Sequence, residues 1–159
     1  MSTNNTMKRT YYLAYGMNTN LRSMKLRCPD AYSLGKVKLQ DHCLQFKYFC
    51  DAELKPGSSM ECALWSITDQ CERKLDRVEG YPDFYQKKEV TVKYNNKNIR
   101  AMIYYMPPGN DLGMPNDQYF DTVCRGYRDH DMNLDSIQKA LDNVLKDDQN
   151  VHSMGQIYS

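Results

Sequence analysis

A chain of 159 residues is the length of one domain, long enough to bury most of its apolar surface around a single core. Its 21 Lys and Arg against 20 Asp and Glu leave a net charge of +1, which excludes the basic footprint of a nucleic-acid binder or of a protein drawn to an acidic membrane. The polar "MSTNNTMKRT" opening lacks the apolar core of a secretory signal, and no run reaches the roughly 18 apolar residues of a membrane span, so a cytoplasmic protein acting on a small, near-neutral partner is expected.

"YYLAYGMNTN", Tyr11 to Asn20, opens as a strand and breaks at Tyr15-Gly16-Met17-Asn18. Glycine and asparagine tolerate positive φ most readily, so this is either a plain turn or a loop whose backbone N–H groups face something bound. "NLRSMKLRCP" reads as a short helix from about Asn20, stopped by Pro29. "AYSLGKVKLQDHCLQFKYF" alternates as one or two strands, and "MECALWSI" at 60–67 is a further strand entered from a turn at "KPGSS".

A clear helix follows, with Thr68 as N-cap, Asp69 in its first turn, Cys71, Leu75 and Val78 on one face, and Gly80 then Pro82 as the stop. Glu79 sits at its end, one turn after Leu75, so it flanks the apolar face. Partial desolvation and the helix C-terminus both favour a retained proton there, as a proton shuttle near neutral pH requires. The alternative is a solvated glutamate near Arg77. "YQKKEVTVKYNNKNIRAMIYYM" is a hairpin turning at Asn95-Asn96-Lys97-Asn98, and "PPGNDLGMPNDQ" is a loop. "QYFDTVCRGYRDH" and "NLDSIQKALDNVLKD" read as helices, the second carrying Leu134, Ile137, Leu141 and Leu145 inward.

Strands and helices interleave without strict βαβ regularity, so the expected fold class is α+β: one domain with a mixed, partly closed, barrel-like sheet and flanking helices. Residues 1–10 are expected to be a flexible segment, 11–148 the domain and 149–159 a tail. None of the six cysteines forms a Cys-x-x-Cys pair, and they are expected to be reduced, mostly buried thiols. His42, His130 and His152 lie too far apart for metal-ligand spacing, so no metal is expected.

From "YLAYGMN" through "LRCPDAYSLGKVKLQDHCLQF", "ALWSIT" and "LDRVEGYPDFY" to "IYYM" and "QYFDTVCRGYRDHDMNLDSIQKAL", the segments resemble one family over about Tyr11 to Leu145. They are similar to the γ-glutamylcyclotransferases and their AIG2-like and BtrG-like relatives. The resemblance implies an enzyme that releases 5-oxoproline from a γ-glutamyl substrate without metal or cofactor, with Glu79 as the catalytic acid and base. Tyr15, Gly16, Met17 and Asn18 then correspond to the family's Tyr-Gly-Ser-Asn loop, and Tyr104 and Tyr119 match tyrosines that the family places at the cavity, although buried tyrosines are more often simple core. Arg22 or Arg125 is a further choice for a carboxylate partner, and loops such as 107–118 are expected to face the leaving amine. Met17 departs from the family's serine, which opens a second reading: a small-molecule binding module with the same cavity and no turnover.

Overall fold

The computed structural model describes the backbone of residues 8–158 and the side chains of 8–148. β1 (Arg9–Ala14) buries Tyr12, Leu13 and Ala14 in succession, which a strand does when both its faces are covered. It is accordingly the middle strand of a five-stranded sheet. β2 (Tyr32–Lys47) and β3 (Phe49–Thr68) lie on one side of it, and β5 (Lys97–Tyr105) and β4 (Gln86–Tyr94) on the other. The order is β2-β3-β1-β5-β4, with β1 parallel to β5 and the other pairs antiparallel. The outer strands β2 and β4 approach without pairing, so the mixed sheet curls but does not close. The domain is α+β, as the interleaved pattern implies.

Local chemistry fixes the connections. β2 and β3 form one long hairpin that reverses at Tyr48, whose φ is +67°. The turn expected at Lys55–Ser59 does not begin a new strand. Gln40 pairs with Ser59 and His42 with Leu54, so the extra residues are absorbed as a bulge opposite Asp41, whose carboxylate accepts the Gly57 N–H at 3.0 Å. β4 and β5 turn through Asn95 and Asn96 alone, both at positive φ, and Lys97 and Asn98 already belong to the ladder.

α1 (Leu21–Arg27) is capped by Asn20, which accepts the Ser23 N–H at 3.0 Å, and α2 (Asp69–Val78) by Thr68, which accepts from Cys71 at 3.2 Å. α3 (Asp117–Asp129) starts at the cap Asn116 and packs on the turn after β1. α4 (Asp135–Tyr158) lies on β2, but not on the expected face. Ile137, Ala140 and Val144 are buried, whereas Leu134 and Leu145 are 37% and 50% exposed and Leu141 is half-buried. A small alanine was a better marker of the inward stripe than the leucines. β1 already contains Arg9 and Thr10, and the expected tail boundary falls within α4; the flexible segment expected before Lys8 lies outside the described residues. Among the described residues no helix is long and apolar enough to cross a membrane.

Two of the six cysteines are not the reduced thiols expected. Cys43, Cys50, Cys62 and Cys124 are free thiols, but Cys28 and Cys71 are joined, with Cα atoms 5.4 Å apart. One caps the C-terminus of α1 and the other lies in the first turn of α2, so a pair separated by 43 positions meets where no sequence spacing signals it. Closing a loop of that length restricts the unfolded chain by about 4 kcal/mol in the chain-entropy picture. Reducing the bond should lower the denaturant midpoint by an amount equivalent to about 2–4 kcal/mol, read by equilibrium unfolding with and without dithiothreitol.

Candidate functional site

The end of α2 and the end of β1 converge on one cavity of about 330 Å³. α2 stops in a double hydrogen-bonded reversal: Gly80 N–H donates to Arg77 O at 3.2 Å and Tyr81 N–H to Asp76 O at 2.9 Å. This closure puts Gly80 at φ +64°, which favours glycine, and leaves Glu79 as the capping residue with its side chain turned into the cavity wall. Glu79 makes no ion pair among the described residues. Its carboxylate oxygen Oε1 lies 3.4 Å from Asn18 Nδ2, a long hydrogen bond. Burial pushes its pKa up to about 7, and Arg27 opposes the shift.

The wall next to it is the turn Gly16-Met17-Asn18, where the chain leaves β1 for a 3-10 turn at Met17–Thr19. Gly16 does not take the positive φ that its residue type allows. It is required for space: a Cβ there would lie 2.9 Å from the Tyr119 hydroxyl and 3.1 Å from the Cys50 Cβ. The turn is closed by Thr19 N–H and Asn20 N–H, donating to Gly16 O and Met17 O at 3.1 Å each. Among the described residues, the N–H groups of Gly16, Met17 and Asn18 have no protein acceptor. Successive unengaged amides of this kind form an anion-receiving concavity.

Asn18 is the hub. Its Nδ2 donates to the Tyr12 hydroxyl at 3.0 Å, its carbonyl accepts from the Trp65 indole at 3.0 Å, and its side-chain oxygen accepts from Arg27. Arg27 also reaches the Met17 sulfur at 3.9 Å. This half-buried arginine from α1, beside Cys28, braces the turn without lining the cavity, and Arg22 and Arg125, the expected carboxylate partners, are exposed and also outside the lining.

Tyr15, Gly16, Met17, Asn18, Glu79, Tyr104 and Tyr119 all line this cavity. The tyrosine hydroxyls are largely engaged with the scaffold. Tyr15 donates to Tyr104 O at 2.6 Å, Tyr104 donates to Asp76 at 2.6 Å, and Tyr119 accepts the Cys50 N–H at 3.0 Å. These three contribute walls to the cavity while their hydroxyls tie it to the scaffold. Residues 107–118 do not reach it; Gly113 fastens that loop to the end of β2 through Phe46 and Tyr48. Phe49, Phe84 and Tyr85 line the cavity instead. No spacing rule marks them, because they arrive from a hairpin end and from the segment after Gly80. No cluster of three His, Cys, Asp or Glu suited to a metal ion is assembled among the described residues.

A curled mixed sheet whose first strand ends in an amide-bearing turn, next to a half-buried carboxyl at a helix end, defines a small α+β domain with one pocket of small-molecule size at that junction. The chain belongs to the gamma-glutamyl cyclotransferase, AIG2-like family, whose model matches residues 12–122. A solved structure described as a gamma-glutamyl cyclotransferase superimposes with a TM-score of 0.74 at 24% identity, covering 84% of this chain and 86% of that one. An uncharacterized protein from Homo sapiens gives 0.73 at 25% identity over 83% and 86% of the two chains. YkqA from Bacillus subtilis gives 0.71 at 18% identity, covering 86% of this chain and 54% of that one. No curated protein matches the sequence significantly.

Proposed function

We propose that the protein is a γ-glutamyl cyclotransferase that converts a γ-glutamyl amide to 5-oxoproline and a free amine. Family membership supports the class of reaction, and one arrangement carries the assignment of residues: Glu79 lines the same cavity as Gly16, Met17 and Asn18, whose amides have no protein acceptor among the described residues. Nucleophile and electrophile belong to one molecule, so holding the substrate folded removes much of the barrier and no cofactor is needed for the closure.

The Glu79 carboxylate takes a proton from the substrate's α-ammonium. The freed amine attacks the γ-carbonyl carbon, and the oxyanion that forms is received by N–H groups of the turn. Glu79 then returns its proton to the amide nitrogen, the oxyanion collapses as the carbon–nitrogen bond breaks, and the ring nitrogen gives up its second proton through Glu79 to the departing amine, which leaves as an ammonium ion. A pKa of about 7 suits both halves of this exchange. Arg27, bonded to the Asn18 side chain and in reach of the Met17 sulfur, braces the turn from outside the cavity lining.

Incubating the protein with a panel of γ-glutamyl compounds and measuring 5-oxoproline tests this, with Glu79→Gln as the control; equal turnover by the two proteins would remove Glu79 from the mechanism. Met17 favours a second reading, a binder that retains the cavity without turnover, because a thioether stands there against Arg27 where the family's pattern has a hydroxyl. A ligand recovered unchanged, with no 5-oxoproline from any compound, would establish that reading. Met17→Ser should change the affinity for γ-glutamyl compounds by about threefold to tenfold in either case, measured by calorimetry, since the side chain lines the cavity. We place this reaction in the cytoplasm. In a reducing compartment the Cys28–Cys71 pair would be a reversible link rather than a permanent staple.

A further inference from the structure

The cavity has two ends of different chemistry. Tyr12, Leu13, Tyr15, Asn18 and Tyr104 are buried and form its floor. Its mouth is apolar: Phe49, Val78 and Phe84 line it while 40%, 48% and 48% exposed. The two phenylalanine rings meet edge to face with centroids 5.9 Å apart, and Phe49 continues inward onto Tyr119 at 5.2 Å. Half-exposed aromatic rings contiguous with a pocket remain available for a ligand to cover. The charged side chains of the lining are Glu79 and Arg77. Glu79 is engaged at the reacting amide in the reading above, so the rest of the lining offers a cationic group no carboxylate and includes the exposed Arg77.

We propose that the leaving amine of the substrate carries an uncharged aromatic or large apolar group, received by Phe49 and Phe84 at the mouth. The inference rests on the cyclotransferase reading: with the γ-glutamyl moiety on the floor between Glu79 and the Gly16–Asn18 turn, whatever is attached beyond the scissile amide points outward across these rings. Two sources share this chemistry, an apolar α-amino acid and an arylalkylamine. They differ in a carboxylate that Arg77 could pair.

The test uses binding by the Glu79→Gln protein, which measures selectivity without turnover. Calorimetry with γ-glutamyl-L-phenylalanine, γ-glutamylphenethylamine, γ-glutamylglycine and γ-glutamylputrescine should show both aromatic compounds at least about tenfold tighter than the other two. Adding Phe84→Ser should shrink that preference to under about threefold and leave γ-glutamylglycine unchanged. Phe49→Ser serves in its place if circular dichroism shows the first variant unfolded. Tighter binding of the phenylalanine compound than of the phenethylamine compound identifies an amino acid as the source, and equal affinity identifies the aromatic group alone. Equal affinity across all four, tightest binding of the putrescine compound, or no binding of either aromatic compound overturns the proposal. Failure of the wild-type protein to form 5-oxoproline from any of the four would sink the reaction itself and leave this ranking as a separate result.

Discussion

Glu79→Gln is expected to lower kcat/KM for 5-oxoproline formation by about a thousandfold, the scale of a lost acid–base group. The amide keeps the size of the carboxyl and can still meet Asn18 Nδ2 through its oxygen, so the cavity should persist while proton exchange is lost. In the wild-type protein, kcat/KM should fall about tenfold per pH unit below about 7, because the group must begin ionised to take the ammonium proton. Stability should respond in the opposite direction. The folded-state value of about 7 lies above the ordinary 4.5, so folding favours the protonated form. The carboxylate therefore costs nothing below pH 4.5, and its penalty grows as pH rises towards 7 and is complete above it. Glu79→Gln should thus be more stable than wild type at pH 8, by about 2 kcal/mol after discounting for partial solvation, with no such gain at pH 4. Denaturant titrations at the two pH values read this directly, and a variant less stable at pH 8 would show that the carboxylate is not held against its preference.

Gly126→Ala should destabilise the fold by about 3 kcal/mol and abolish binding in the cavity. α3 crosses the turn after β1 with no room for a side chain: a Cβ on Gly126 would stand 2.0 Å from the Thr19 hydroxyl oxygen and 2.5 Å from the Asn20 amide nitrogen. The second contact is backbone, so no rotamer change relieves it. Thr19 and Asn20 are also the residues whose N–H groups close the Gly16–Asn18 turn, so the displacement passes straight into the site. Tyr127, next along the helix, holds the Tyr15 carbonyl through its hydroxyl at 2.7 Å and would be pulled away with it. Thermal unfolding and calorimetry with γ-glutamyl-L-phenylalanine check both parts; a wild-type melting temperature in the variant would mean that helix and turn separate freely.

Much of the site was legible because it is written in local signals. Thr68, Gly80 and the apolar period through Leu75 mark where α2 begins and ends, and Glu79 follows from them. The break at Gly16 is visible as a change of residue type, although its cause is a neighbour, Tyr119, that lies far along the chain. What escaped was non-local. Phe84 reaches the cavity and Arg27 reaches Asn18 behind it through the placement of their elements, and the Cys28–Cys71 bridge joins two helices whose proximity only the assembled sheet dictates. The face of α4 was misjudged for another reason: leucine content suggested the burial of Leu134 and Leu145, but close contact with β2 selected Ala140. Likewise "KPGSS" carries every mark of a chain reversal, yet the neighbouring ladder on each side absorbs it as a bulge.

The protein has a single tryptophan, and its indole nitrogen is bonded to the Asn18 carbonyl. Trp65 is buried, so its emission reports on a dry, fixed environment that changes when that carbonyl shifts. Occupation of the neighbouring amides therefore carries a built-in optical signal. Ligand titrations can be followed by intrinsic fluorescence, with no label attached and no background from a second indole.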